Sequence, residues 1–375
     1  MKQENKTYYV TKPLMPDLQE YNQYLQQIWE TGVITNRGPI LQQYEEALAK
    51  HLSVSSTVVT ANATLALMVV MRAMGLTGEV ITTPFTFAAT AGAIVWSGLT
   101  PVFVDVDPGG VNICPESVKA AITPNTSAIL AVHCYGVPAN DDALREIADE
   151  YQLKLIYDAC HAFGTETDKG SILKLGDASI LSLHATKLVS SAEGGLVVSS
   201  DEQLLSRVRS NINFGIKNEN EITDIGINAK MSELHAAFGL CNLNSMQDIY
   251  AGRQDIYEAY KRHLEKIPNL SLLPRPHLSR DGFAYIPVIV KASGPFNAQI
   301  LKDSLEGKGI FVRRYFYPLL TDTDAFKKYA HEASDMYINA RTMSSRVLCL
   351  PIYYGLSESD VQFICNEIVM VLNES

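Results

Sequence analysis

The sequence contains no run of ~20 apolar residues, the length a helix needs to cross a bilayer, so no membrane span is expected. The opening Met1-Lys2-Gln3-Glu4-Asn5-Lys6 lacks the apolar core of a secretory signal, and the expected location is the cytoplasm. There is no block of basic residues. Lys and Arg number 31 against 41 Asp and Glu, for a formal net charge of −10, which argues against nucleic acid as a partner. An anionic substrate would then need a few cations gathered locally. The six cysteines (Cys114, Cys134, Cys160, Cys241, Cys349 and Cys365) include no Cys-x-x-Cys pair, and no metal-ligand spacing is present, so no metal is expected. Several lie in apolar runs such as Val347-Leu348-Cys349-Leu350 and read as buried thiols of a reducing compartment. Repeats and low-complexity segments are also missing.

What is present is a globular composition, 47% hydrophobic and only 19% charged. A length of 375 residues predicts two domains, placed at 1–250 and 251–375, with the N-terminal segment assigned to the first. Short apolar runs recur between helical stretches: Thr57 to Val59, Glu79 to Thr82, Pro101 to Val104, Ala128 to Val132, Leu155 to Tyr157, Ile180 to Leu183 and Gly195 to Val198. Unbroken runs, rather than in/out alternation, predict an α/β fold with a mostly parallel seven-stranded sheet covered on both faces. Ligands of such sheets bind at the carboxyl ends of the strands. Asn140 is positioned to cap a helix whose stripe is Ala143, Leu144, Ile147, Ala148 and Tyr151. Beyond a long helical stretch at about 232–264, a smaller α/β unit is expected, with a strand at 285–290, a helix near 297–305 and a last helix capped by Ser357 and Asp360.

Three residues carry the chemistry. Lys187 follows Ser182 by five positions, and Asp158 ends the apolar run Leu155-Ile156-Tyr157. A lysine can form a Schiff base, a buried acid can hold a protonated pyridine nitrogen, and a hydroxyl can bind a phosphate. Together these are the requirements of pyridoxal 5'-phosphate (PLP). Each has a bland reading alone: a surface lysine, a helix cap and a small strand residue. Their occurrence in this order, with Glu193-Gly194-Gly195 just after, favours the cofactor. The lysine is expected to have its pKa lowered by desolvation and a nearby cation, so that it can act as a base. A second phosphate anchor is expected at Ala63 and Thr64, where Asn62 precedes an apolar helix whose first N–H groups are free. Among the aromatics of Thr83-Pro84-Phe85-Thr86-Phe87, one could stack on the pyridine ring.

With those residues in place, the chain resembles the sugar aminotransferases of the DegT/StrS family. The likeness runs from Trp29-Glu30-Thr31-Gly32-Val33-Ile34-Thr35-Asn36-Arg37-Gly38-Pro39 to Leu348-Cys349-Leu350-Pro351. Its most specific elements are Asp158-x-x-His161, Ser182-x-x-x-x-Lys187 and Gly226-Ile227-Asn228-Ala229-Lys230-Met231-Ser232-Glu233. The resemblance implies a PLP enzyme of fold type I in which Lys187 carries the Schiff base and shuttles the proton, and Asp158 pairs with the pyridine nitrogen. It also implies His161 near the PLP hydroxyl, Phe87 stacked on the ring, and Ala63, Thr64 and Ser182 on the phosphate. Asn228 would reach the phosphate from a neighbouring subunit, which makes the protein at least a homodimer.

The family's usual hydroxyl-bearing turn reads Ala61-Asn62-Ala63-Thr64 here, so one hydroxyl contact is missing. Ala229-Lys230 replaces the more usual aromatic and Arg. Thr35, Asn36, Arg37, Lys230, Arg313 and Arg314 are candidates for the substrate, the cations among them for its diphosphate, with solvated surface charge as the alternative for each.

The implied reaction moves an amino group from L-glutamate to a nucleotide-linked keto-deoxysugar for O-antigen or another surface glycan. The segment Tyr9 to Leu18 and the block Asn228 to Glu233 look most like the branch that converts dTDP-4-keto-6-deoxyglucose to dTDP-4-amino-4,6-dideoxyglucose. A 3-keto or UDP-linked sugar is the alternative. A lyase or desulfurase on the same fold is a rival, although no cysteine has the mobile-loop setting a desulfurase needs. A non-catalytic PLP or sugar-nucleotide sensor is another, opposed by the intact Lys187, Asp158 and Ser182.

Overall fold

The computed structural model of the chain describes residues 6–275, 278–291, 296–331 and 336–374. The opening residues 1–5, read above for a secretory signal, lie outside the described residues. Strands β1 Thr57–Thr60, β2 Glu79–Thr82, β3 Thr100–Phe103, β4 Thr126–Val132 and β5 Lys154–Asp158 come first. A short hairpin of β6 Glu166–Thr167 and β7 Gly170–Ser171 follows, then β8 Ala178–Ser182 and β9 Gly195–Val198. Seven of these form one sheet in the order β1-β9-β8-β5-β4-β2-β3. The pairs β3–β2, β2–β4, β4–β5 and β5–β8 are parallel, and only β9 runs against its neighbours β8 and β1. The predicted seven-stranded, mostly parallel sheet is what forms.

The period of two along each strand explains why apolar runs, not alternating ones, were selected. Val58, Val80, Leu130, Ile156, Ile180 and Val197 point to one face, under the helix Ala63–Ala73. Val59, Leu181 and Leu196 point to the other, where the helices Pro39–His51 and Glu233–Asn244 cover them. Because the strands run in parallel, the carboxyl ends of β1, β5 and β8 lie along one edge. Gly195 opens β9 at that edge, opposite both Thr60 and Ser182. A Cβ there would stand 2.5 Å from the Asn62 carbonyl carbon and from Thr60 Oγ1, so only glycine lets the Asn62 turn close over the sheet.

The smaller unit holds the antiparallel sheet β12 Leu270–Leu272, β13 Ile286–Val290 and β14 Val347–Leu350, after a second hairpin of β10 Ile216–Asn218 and β11 Glu221–Ile222. The helices Ala298–Gly307 and Glu358–Glu374 pack against it. Two details differ from the sequence reading. The helical stretch at 232–264 is two helices, Glu233–Asn244 and Met246–Leu264, separated at Ser245. The second is shared: Met246 and Ile249 enter the large core, whereas Ile256, Ala259, Tyr260 and Leu264 enter the small one. The N-terminal segment packs on the small unit as well. Tyr8 bridges Ile310 and sits in the core with Ile364, and its hydroxyl reaches Asp360 Oδ1 at 3.0 Å.

Candidate active site

A cavity of about 350 Å³ opens at the carboxyl edge of the large sheet. Lys187, Asp158, His161, Ser182, Ala63, Thr64 and Phe87 all line it, so seven residues picked from scattered positions meet in one place. Each is delivered by a local rule. Asp158 and Ser182 are the last residues of β5 and β8. The Asn62 side chain caps the helix Ala63–Ala73 by accepting from Leu65 N at 2.9 Å, and its carbonyl accepts from Ala66 N at 3.1 Å. The N–H groups of Ala63 and Thr64, with no acceptor inside the helix, are left at the cavity wall. Phe87 precedes the helix Ala88–Trp96 in an extended conformation and lies 59% exposed on the cavity wall.

The acid is held tightly. Asp158 Oδ2 accepts from Thr90 Oγ1 at 2.7 Å, Thr90 shares a 2.8 Å hydrogen bond with Thr86, and Asp158 Oδ1 accepts from Cys160 N at 3.2 Å. His161 Nδ1 accepts from Tyr135 N at 3.2 Å, so the ring proton belongs on Nε2. Burial, reinforced by Lys187, pushes the His161 pKa well below the usual histidine range and keeps the ring neutral. Burial, with Asp158 beside it, pushes the Cys160 thiol well up, and it stays protonated.

Lys187 behaves differently from the expectation. Burial pulls its pKa down, but Tyr285, Cys160 and Asp158 around it pull it up by more, and the net direction is upward. The groups that act most on the amine are hydroxyl, thiol and carboxylate.

Among the further groups lining the cavity that local sequence patterns did not single out are Tyr285, Tyr315 and Phe316 from the small unit, and Thr86. Phe316 stacks in line with His161 at 5.9 Å, and Tyr285 meets the same ring edge-on at 4.8 Å. The aromatic stretch Tyr315-Phe316-Tyr317 was the available signal.

The substrate candidates are not at this cavity. Asn36, Arg37 and Lys230 line a separate hollow of about 160 Å³ with Arg209 and Asn213. Arg37 pairs there with Glu45 at 3.0 Å, and Lys230 donates to Asn213 Oδ1 at 2.9 Å. Buried Glu233 accepts from Ile40 N at 2.8 Å and from Leu41 N at 3.3 Å. It thereby pins the start of the helix Pro39–His51 and the turn that holds Asn36 and Arg37 at positive φ. Thr35 lines neither space. Asn228 bridges to Asn213, outside the Lys187 cavity. Arg313 bridges Cys349 through its backbone, two residues before Tyr315 on the cavity wall, and does not itself line the cavity. Arg314 is partnered within the small unit. Its guanidinium donates to Gln299 Oε1 at 2.8 Å and Ser344 O at 3.2 Å and lies 3.5 Å from the centre of the Tyr317 ring.

A lysine amine and a clamped carboxylate in one cavity, with free helix N–H groups on its wall, indicate PLP chemistry but not its class. The family model of the DegT/DnrJ/EryC1/StrS aminotransferases matches residues 17–369. The chain belongs to that family. Similar DegT/StrS relatives include the dTDP-4-amino-4,6-dideoxy-D-glucose transaminase of Shigella dysenteriae, 42% identical over 363 residues, 97% of this chain and 98% of that one. The protein of the same name from Escherichia coli is 38% identical over 358 residues, 95% and 96% of the two chains. The solved structure of DesI in the presence of its TDP-sugar product superposes with a TM-score of 0.93 at 34% identity, covering 98% of this chain and 94% of that one.

As a DegT/StrS aminotransferase the protein uses PLP, and the donor set fits it. Helix N–H groups at Ala63 and Thr64, with Ser182, suit a phosphate dianion, Asp158 suits a pyridinium and Lys187 suits an aldehyde. All six cysteines are free. Among the described residues no helix is long and apolar enough to cross a membrane.

Proposed function

We propose that the protein transfers the amino group of L-glutamate to dTDP-4-keto-6-deoxyglucose, giving dTDP-4-amino-4,6-dideoxyglucose for O-antigen or another surface glycan, in the cytoplasm. The observation that carries the aminotransferase chemistry is the convergence of Lys187 and Asp158 on one cavity with the free start of the helix Ala63–Ala73. The sugar rests on the names of the two relatives that match nearly the whole chain.

When bound, PLP supplies a carbonyl that takes up the donor's amino group and a ring that withdraws electrons from the reacting carbon. In this reading Ala63, Thr64 and Ser182 bind its phosphate and Phe87 covers one ring face. Asp158, oriented by Thr90 and Cys160 N–H, keeps a proton on the pyridine nitrogen. His161 offers its Nε2–H to the cofactor hydroxyl. Lys187 removes the proton from the donor carbon and later returns one to the sugar carbon.

The site is shared between two subunits. Asn36, Arg37 and Lys230 line one hollow, with Asn228 bridged to Asn213 on its wall, apart from their own chain's Lys187 cavity, and a second copy would present them to it. The cations Arg37 and Lys230 would meet the substrate's diphosphate, which an otherwise acidic protein needs.

The test is a panel of keto sugars offered with glutamate: dTDP-4-keto-6-deoxyglucose, its 3-keto isomer and UDP-linked counterparts, with products assigned by mass spectrometry and NMR. Turnover of the first supports the reading. Turnover only of a 3-keto or UDP-linked sugar overturns the substrate while keeping the aminotransferase.

A further inference from the structure

We propose that Tyr285 is a positioning residue for Lys187, its hydroxyl holding the lysine amine against the cavity wall whenever that amine is not bonded to the cofactor. The inference rests on reading Lys187 as the reactive lysine and goes beyond it. Lys187 Nζ stands 3.4 Å from Tyr285 Oη and 5.6 Å from the centre of the Tyr285 ring. An ammonium has three donors to place. Among the described side chains, the phenol oxygen is the acceptor that stands within hydrogen-bonding distance of the amine.

Tyr285 is built to stay where it is. It is 4% exposed and immediately precedes β13. Its carbonyl accepts from Arg275 Nη2 at 2.9 Å, and Arg275 is itself paired with Asp281 at 2.5 Å in a buried ion pair. Arg253 Nη1 donates to Phe283 O at 2.8 Å and fixes the chain two residues earlier. The ring is braced by His161 at 4.8 Å and Tyr315 at 5.3 Å. This scaffolding sets the phenol's direction.

The bond also joins the two units. Lys187 belongs to the large-sheet edge and Tyr285 to the small unit, so the position of the free amine depends on how the small unit sits. Asp158, Cys160 and His161 face the amine from the end of β5, Tyr285 and Tyr315 from the small unit, and His184 and Glu193 line the cavity from its own loop. Tyr285 heads the influences that raise the Lys187 pKa, as expected of an acceptor bonded to an ammonium.

The experiment compares the wild-type chain with Tyr285→Phe, which keeps the ring and removes the hydroxyl. In cofactor-free, full-length protein, Lys187 is trace-labelled with acetic anhydride across a pH series and quantified by peptide mass spectrometry. The expected result is a Lys187 titration shifted downward by about one pH unit, the size of one charge-assisted hydrogen bond. With PLP and glutamate, the single-turnover rate constant of the glutamate half-reaction is expected to fall roughly tenfold while the glutamate concentration at half saturation changes little. An unshifted titration overturns the proposal whatever happens to that rate constant, and a shifted titration with an unchanged rate constant overturns the role in the reaction. If Tyr285→Phe fails to fold, 4-methylphenylalanine at 285, which has nearly the shape of tyrosine and no hydroxyl, carries the same expectation. The labelling uses neither sugar nor turnover, so a wrong substrate leaves it standing.

Discussion

The Thr90 hydroxyl donates to Asp158 Oδ2 at 2.7 Å, with Thr86 at 2.8 Å behind it. Thr90 is fully buried in the first turn of the helix Ala88–Trp96 that follows β2, whereas Asp158 ends β5 two strands away in the sheet. Thr90→Val removes the donor and keeps the shape. A hydrogen bond to a charged group contributes ~1.5–3 kcal/mol, so kcat should drop about 10- to 100-fold and PLP affinity should weaken, both recovering in Thr90→Ser. Cofactor titration by absorbance checks the binding part.

Lys187→Ala should abolish turnover and the visible absorbance of lysine-bound cofactor, while circular dichroism and melting temperature stay close to wild type. The half-buried side chain contributes little to either apolar core. An active, yellow Lys187→Ala protein would sink the assignment.

Shared sites predict complementation. Lys187→Ala and Asn228→Ala should each be strongly impaired alone, yet mixtures co-expressed as mixed dimers should regain measurable activity, because one of the two sites then carries both native residues. Sites complete within one chain predict no recovery. Subunit-exchange assays of purified mixtures read this directly.

Asp360 ties the chain's beginning to its end. It accepts from Lys6 Nζ at 2.6 Å, Tyr8 Oη at 3.0 Å and Ser357 N at 2.9 Å, and Ser357 Oγ in turn accepts from Asp360 N at 3.2 Å. Burial alone would raise its pKa, but Lys6, Ser357 and Tyr8 outweigh that and lower it from 3.8 to about 2. A carboxyl lowered in the folded state adds stability above its unfolded pKa and loses it as pH falls through the folded one. Asp360→Ala should therefore cost about 2 kcal/mol near neutral pH. The gap from wild type should close as pH falls from 3.8 to about 2. Urea unfolding across that range measures it.

Much of the site was legible because its residues sit at places that local rules define. Asp158 and Ser182 end apolar strands, Asn62 caps a helix, and Lys187 follows at a fixed interval. The Ser357–Asp360 cap and the seven strands were readable for the same reason. Tyr285, Tyr315 and Phe316 were not, since no local pattern says that the small unit folds back over the strand ends. The Lys6–Asp360 tie, 354 residues apart in sequence, is of the same kind. The break at Ser245 was hidden because helical periodicity continues on both sides. The Lys187 pKa direction was not legible because it depends on neighbours distant in sequence, Tyr285 from the small unit and Cys160 and Asp158 from the end of β5. Arg314 looked like a free cation, yet it is committed to Gln299, Ser344 and Tyr317.

The most direct test follows the nitrogen. Holoenzyme supplied with isotopically labelled glutamate and dTDP-4-keto-6-deoxyglucose should place the label on carbon 4 of the sugar, in an equatorial amine, with 2-oxoglutarate formed in equal amount. An unlabelled sugar recovered intact, while glutamate still changes the cofactor's absorbance, would contradict the account's substrate. No response to glutamate at all would contradict the aminotransferase itself.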